Sequence, residues 1–339
     1  MGRHYNIPVF IPHAGCPNDC IFCNQRKISG QIKMPALDET ETIIRSCLET
    51  GKTGYSCEIA FFGGSFTGLP MEEQKNYLEL AGRYVKEGKV SGIRISTRPD
   101  YIDDDILSIV KEYPVKVIEL GIQSLDDAVL KRSYRGYSAD RAIHACRLVK
   151  KYGFSLGVQV MIGLPEDSLE KSIRTTEKII FEKPDMVRIY PTLVIRDTRL
   201  EKEYINGNYR SLSLDEAVLW CSRLIPLYEA AGIKVLRIGL MHTENIQMGK
   251  DVLAGPVHPA FGELVYSKIW LNRVIKILEA KGKITHQKLL IHVPSSKIST
   301  VTGQYSANIK YLKKCYGFSD IMVLGDRMEE NSLMIESRE

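Results

Sequence analysis

Three cysteines lie close together near the start of the chain, Cys16, Cys20 and Cys23, in the run Gly15-Cys16-Pro17-Asn18-Asp19-Cys20-Ile21-Phe22-Cys23. Three thiolates at this spacing can hold three corners of a cubane [4Fe–4S] cluster and leave the fourth iron without a protein ligand. An iron left open in that way can bind a small molecule and pass it an electron. Two plainer readings stand beside this one. A structural zinc site needs a fourth ligand, for which His13 and His4 are the nearest candidates, and no second cysteine pair follows at finger spacing. A disulfide framework is at odds with eight cysteines spread over 339 residues and no stretch that reads as a signal peptide. Cys47, Cys57, Cys146, Cys221 and Cys315 stand singly in apolar stretches and read as buried core thiols.

The elements that must position these thiols alternate. Short apolar runs at Asn6–Ile11, Glu58–Phe62, Gly92–Ser96, Lys116–Leu120, Ser155–Ile162 and Met186–Tyr190 predict strands. Amphipathic patterns near 38–50, 71–87, 103–111, 138–152, 168–181 and 213–230 predict helices, as in the series Leu78, Ala81, Val85. Such alternation argues a parallel sheet with helices outside, and six βα units make a partial, open (β/α)6 barrel. The polar motifs all fall after strands. The cysteine loop follows the first, Gly63-Gly64-Ser65 the second, and Ser96-Thr97-Arg98-Pro99-Asp100 ends the third. Gly121-Ile122-Gln123-Ser124 ends the fourth, Gln159 lies in the fifth before Gly163-Leu164-Pro165, and Tyr190-Pro191-Thr192 ends the sixth. In a parallel barrel these meet at the carboxyl rim, where active sites are built.

The cysteine spacing, with an aromatic before its last member, resembles the signature of the radical S-adenosylmethionine (radical SAM) superfamily. The resemblance implies a [4Fe–4S] cluster on Cys16, Cys20 and Cys23, and reductive cleavage of SAM to a 5′-deoxyadenosyl radical. It implies that Gly63 and Gly64 offer backbone to the methionine amino group, and that Gln123 and Gln159 bond the ribose hydroxyls and carboxylate. Arg98 would bind that carboxylate or fix the rim by a salt bridge; Asn18, Asp19 and Phe22 would shape the loop.

The runs Thr97-Arg98-Pro99-Asp100-Tyr101, Glu119 to Ser124, Arg135-Gly136-Tyr137, Gly163-Leu164-Pro165 and Ile189 to Thr198 look like the radical SAM domain of the Elongator catalytic subunit family, which modifies the wobble uridine of tRNA. That resemblance covers roughly residues 5–240. It adds Tyr190, Arg196 and Tyr209 as substrate-side residues, the first two as catalytic candidates. Ser96 stands where that family carries a glutamate ahead of the Thr-Arg-Pro-Asp run, which weakens one SAM contact. No acetyl-CoA phosphate loop is recognisable after residue 250, so the family's acetyltransferase domain is not carried over. A wider circle of similar sequences includes coproporphyrinogen oxidase-like proteins.

Composition is that of an ordinary globular protein, with 44% hydrophobic and 26% charged residues, and no apolar run suits a bilayer span. A cytoplasmic location is expected, without membrane association. The net charge of +5 is unevenly placed: from Lys268 to Lys314 ten Lys or Arg face one acid, Glu279, so the rest of the chain is net acidic. Residues 1–245 read as the barrel and 250–339 as a small basic α+β domain. After a helix near 260–280 that domain would run strand Leu289–Val293, helix Gln304 to Cys315, strand Ile321–Leu324. Its basic segment reads as an RNA-binding surface, tRNA included, against the plainer reading of a solvated helix face. Ser299 to Gln304, leading into a helix with Asn308, Lys310, Lys313 and Lys314, could face an anion. Tyr305 and Tyr311, six apart, would fall on different faces of one helix, which makes a poor stacking pair.

The expected protein is a radical SAM enzyme acting on RNA, reduced by a donor such as flavodoxin or ferredoxin. A small-molecule or tetrapyrrole substrate, or an iron–sulfur or haem-handling protein without SAM cleavage, remain as rivals.

Overall fold

The computed structural model describes residues 4–11, 16, 20–24, 33–51, 54–240, 246–281 and 288–338. His13, Asn18 and Asp19 of the cysteine loop and Lys283 of the basic segment lie outside the described residues. The chain divides into two compact units, Met1–Ser213 with Leu227–Val257, and Leu214–Pro226 with His258–Glu339.

The first unit is built on strands β1 (His4–Ile11), β2 (Ser56–Gly63), β3 (Ile93–Thr97), β4 (Val115–Gln123), β5 (Ser155–Ile162), β6 (Met186–Pro191) and β8 (Lys234–Ile238). They form one all-parallel sheet in that order, an open, curled half-barrel. The intervening helices are α1 (Leu37–Glu49), α2 (Met71–Lys86), α3 (Asp104–Lys111), α4 (Asp127–Arg132), α5 (Ala139–Lys151), α6 (Leu169–Phe181) and α7 (Arg199–Ile205). Helix α8 (Leu214–Ala230) carries Pro226, where the unit boundary falls.

Side chains two apart on a strand share a face, and parallel register carries that face across the sheet. One face is Ile7, Val9, Ile59, Phe61, Ile93, Ile95, Ile118, Leu120, Leu156, Val158, Val187 and Ile189, all fully buried. Phe61 meets Tyr77 of α2 edge-on at 5.7 Å, so this is the face the helices cover. The helix starts follow from their caps. Asp103 accepts from the Ile106 amide, Asp126 from Val129, Ser138 from Arg141, Ser168 from Lys171 and Thr198 from Glu201.

The seventh strand, β8, adds to the expected six. Its sequence Lys-Val-Leu-Arg-Ile carries two cations in five residues, which hides a strand in apolar-run reading. Two short strands, β7 (Val194–Ile195) and β9 (Val252–Ala254), pair antiparallel, so the segment expected as a plain connection from Lys250 to Pro259 contains a strand. Strands this short have no periodicity to read.

The second unit holds α9 (Phe261–Lys281), β10 (Lys288–Pro294), α10 (Ile298–Thr302), α11 (Ala307–Tyr316), β11 (Asp320–Asp326) and β12 (Met334–Arg338). Strand β10 is central, parallel to β11 and antiparallel to β12. Its core includes Trp270, Val274, Leu289, Ile291, Val301, Leu312 and Phe318. The single helix expected from Gln304 to Cys315 is broken instead. Gly303, Tyr305 and Ser306 all have φ between 51° and 78°, which ends α10 and delays α11 to Ala307. Cys315 is exposed, contrary to the expected buried thiol, because it falls one residue short of the inward stripe Asn308, Leu312, Tyr316. Among the described residues no helix is long and apolar enough to cross a membrane.

Candidate active site

The loop after β1 is anchored by the residue following its second cysteine. Ile21 is fully buried in a small core with Val194, Leu200, Tyr209 and Ala254, and Phe22 packs against the same group. The Ile21 amide donates to the Ser133 carbonyl at 3.2 Å, and its carbonyl accepts from Leu200 at 2.8 Å. The Cys23 amide donates to the Cys20 carbonyl at 2.9 Å, so these two cysteines share one turn. Phe22, expected to shape the loop, and Tyr209, expected on the substrate side, thus both help hold the loop. The Tyr209 hydroxyl donates to the Gly163 carbonyl at 2.6 Å.

Cys20 is buried between two guanidiniums. Arg135 Nη1 lies 3.0 Å and Arg98 Nη1 3.6 Å from its sulfur. Arg98 forks onto Asp100 at 2.9 and 2.8 Å and also donates to the Arg135 carbonyl. Arg135 donates to the Gly121 carbonyl at 2.5 Å and to the Tyr137 hydroxyl at 2.8 Å. Both arginines are buried to within a few per cent, at 4% exposure each. Burial works against the Arg135 charge, yet Tyr137 and Cys20 outweigh it and raise its pKa above the ordinary arginine value. Burial also pushes the Tyr137 hydroxyl up to about 12, despite both arginines opposing it. Asp100 pairs with Arg98, while the Cys20 sulfur lies within reach of both guanidiniums. A buried charge without a counter-charge is costly, so this pocket suits an anionic group.

Cys16 stands against the end of β2. The Ser65 amide lies within hydrogen-bond reach of its sulfur; burial and then Cys20 raise its pKa, while Arg98 and Arg135 oppose the rise. Gly63 adopts φ 107°, and a Cβ there would meet the Ile11 carbonyl oxygen at 3.0 Å, so glycine is required. The Gly64 amide donates to that same carbonyl at 2.5 Å. The rim is clamped by buried hydroxyls, Ser65 to Thr97 at 2.8 Å and Thr67 to Thr97 at 2.6 Å, with the Arg98 amide donating to Ser65 Oγ at 3.0 Å.

Gln123 and Gln159 come together: Gln159 Nε2 donates to Gln123 Oε1 at 3.4 Å. Gln123 sits at a bulge in β4 with φ 69°. Ser96 is half-buried on β3, opposite Glu119 in register. Tyr190, one residue before the end of β6, lies on the sheet face opposite the helices; burial raises its pKa, with Arg188 opposing. Arg196 follows β7 and is exposed; its carbonyl accepts from Asn24, next to Cys23, at 3.3 Å, and its Nε donates to the Lys250 carbonyl at 2.8 Å.

That second sheet face carries a layer of charge that sequence reading missed. Glu58 accepts from Arg94 at 2.9 Å, Arg94 reaches Glu119 at 2.8 Å, and Glu119 accepts from Arg188 at 2.7 Å. The signal was present as single charges inside otherwise apolar strands, which must pair if buried. Arg135 was visible too, inside the run Arg135-Gly136-Tyr137, but nothing local announced that it would reach the cysteine loop.

His4 is at the amino end of β1, bonded to Ser56 at 3.0 Å and Asn6 at 3.1 Å. It is roughly 20 Å along the strand from the cysteine loop, which removes it as a zinc ligand there. No disulfide joins any of the eight cysteines.

Residues 10–179 match the Radical SAM superfamily and residues 184–270 the Radical_SAM C-terminal domain. The chain belongs to the radical SAM superfamily, and it is an enzyme of that kind. It is 31% identical to Elongator complex protein 3 of Mus musculus over 56% of this chain and 38% of that protein. It is 26% identical to the tRNA uridine(34) acetyltransferase of Methanocaldococcus infernus, over 53% of this chain and 38% of that one. The chain therefore aligns with well under half the length of these relatives. The fold is shared with archaeal Elp3 of Methanocaldococcus infernus, at a TM-score of 0.59 and 23% identity, over 83% of this chain and 64% of that one.

The superfamily's cofactors are a [4Fe–4S] cluster and SAM. Among the described residues no three His, Cys, Asp or Glu side chains are gathered at metal-binding distance. The donor chemistry nevertheless fits: two of the three thiols stand beside a pair of buried cations, of which Arg98 alone is paired with a carboxylate, Asp100.

Proposed function

We propose that this radical SAM enzyme modifies RNA, with tRNA as the substrate class. The observation that carries the cluster part of the reading is the Cys20 thiol held by two buried guanidiniums at the carboxyl rim of the half-barrel. Cys16, Cys20 and Cys23 would hold the cluster. Cluster and SAM, when bound, supply one-electron cleavage to a 5′-deoxyadenosyl radical that takes a hydrogen atom from substrate. Gly63 and Gly64 bring backbone close to the methionine end of SAM, and the Gln123–Gln159 pair, with Ser96 nearby in the sheet, bonds its polar groups. Arg98, already forked onto Asp100, fixes the rim and balances sulfur charge. Tyr190 and Arg196 are the substrate-facing residues. The RNA assignment is supported by the relatives' names and by the Lys268–Lys314 segment. The reducing electron would come from a small carrier such as flavodoxin or ferredoxin.

The test is anaerobic reconstitution with dithionite and SAM, followed by capture of RNA from anaerobic extract at low and high salt. Release of 5′-deoxyadenosine, with RNA retention that weakens as salt rises, is the expected result. Stoichiometric zinc in place of iron would overturn the cluster assignment. SAM cleavage without RNA affinity at any salt would overturn the substrate assignment and favour a small molecule.

A further inference from the structure

We infer that Tyr305 is a stacking platform for an unpaired base of single-stranded RNA, framed by a lysine stripe on α11. The inference rests on the RNA reading above and names where in the second unit the strand is gripped.

Placed in one helix, Tyr305 and Tyr311 would point apart. The break at Gly303–Ser306 removes that geometry. Tyr305 (φ 51°, ψ 30°) and Ser306 (φ 58°) are consecutive left-handed residues, neither of them glycine. This backbone is disfavoured for L-residues with a Cβ and persists only where the surroundings hold it. Nothing is gained from packing in return: the Tyr305 side chain is 92% exposed, more than any other large apolar side chain among the described residues. A strained turn that lifts a whole aromatic ring into water makes sense if something covers the ring.

The surroundings say what. Ala307, Lys310, Tyr311 and Lys314 are exposed at i, i+3, i+4 and i+7, a single outward stripe on the helix that begins two residues after Tyr305. Helix α11 contains no acid, and among the described residues Lys310 and Lys314 have no carboxylate partner. Lys268 of α9 lies over the Tyr311 ring at 5.7 Å. Lys313 is turned off the stripe, onto the Ser319 carbonyl at 2.9 Å and Asp320 at 3.6 Å. The inner side of the helix is pinned by the buried Asn308, which donates to Ser267 Oγ at 2.9 Å and the Val301 carbonyl at 3.0 Å. A rigid face of cations with aromatic rings between them is the chemistry that binds single-stranded nucleic acid, phosphates on lysine and bases on tyrosine. A duplex hides its base faces and could use only the lysines.

The test uses the full chain with labelled oligo(U) RNA and an RNA duplex of equal length. Tyr305→Asn should weaken oligo(U) binding about tenfold or more and leave duplex binding unchanged, while Tyr305→Phe keeps both. Asparagine tolerates the left-handed region, so the Asn variant should melt no lower than the parent. SAM cleavage without RNA should be the same in all variants. Oligo(U) binding that survives Tyr305→Asn overturns the inference and leaves the RNA reading standing. Failure of the parent chain to bind any RNA overturns both. Preferential binding to phosphatidylserine vesicles, or a lower melting temperature for the Asn variant, would show that the ring serves a membrane or the fold instead.

Discussion

Arg135 shows how one side chain ties the cysteine loop to the barrel. Its guanidinium touches Cys20, Gly121 and Tyr137 at once, joining the loop after β1 to the end of β4. Arg135→Gln keeps much of the shape and removes the charge facing the sulfur. Breaking a buried charge cluster in this way costs about 3 kcal/mol or more. The expected outcome is a lower melting temperature and a lower iron content in anaerobic preparations, only partly restored by Lys; unchanged iron would contradict it. Asp167 is a second residue with a readable consequence. Burial pushes its carboxyl up to about 6, against hydrogen bonds from Ser172, Gly163 and Ser168 that favour the charged form. An acid whose folded pKa lies above its unfolded value near 4 stabilises the fold below that lower value, and the contribution is lost as pH rises through about 6. Between pH 4 and 7 the wild type should therefore lose on the order of 2 kcal/mol relative to Asp167→Asn. Melting curves at several pH values check this, and parallel curves for the two proteins would refute it.

At the scale of elements, the parallel strands carry two kinds of information. The aliphatic face, Ile59, Ile93, Ile118, Val158 and Ile189, is plain in the apolar runs, and with it the alternation of strand and helix. Hence six strands, the longer helices between them and the carboxyl-rim position of the motifs were legible from sequence, whereas the short α4 and α7 were not. The other face was not, because pairing between Glu58, Arg94, Glu119 and Arg188 depends on register between strands 25 to 69 residues apart. Strand β8 and the β7–β9 pair were missed for want of an apolar run or of length, and the break before α11 for want of any glycine at Tyr305 or Ser306. The ladder makes its own prediction. Glu119 alone serves both Arg94 and Arg188, so Glu119→Gln should destabilise the protein by about 3–5 kcal/mol, well beyond a surface substitution. Denaturant titration would measure the loss, and a change under about 1 kcal/mol would mean that the ladder is not a closed ionic unit.

At the scale of the whole molecule, positive charge is concentrated in the Lys268–Lys314 segment while the chemistry-bearing residues gather on the rim of the first unit. The rim places thiols, buried cations, a glycine backbone and paired amides within a few residues' reach of one another. All of this depends on an iron–sulfur centre with one position open to SAM. The most direct measurement is electron paramagnetic resonance of anaerobically reconstituted, dithionite-reduced protein with and without SAM. A [4Fe–4S]⁺ signal that changes on adding SAM, and is absent in Cys20→Ala, is the expected result. No cubane signal, or one that SAM leaves untouched, would contradict it.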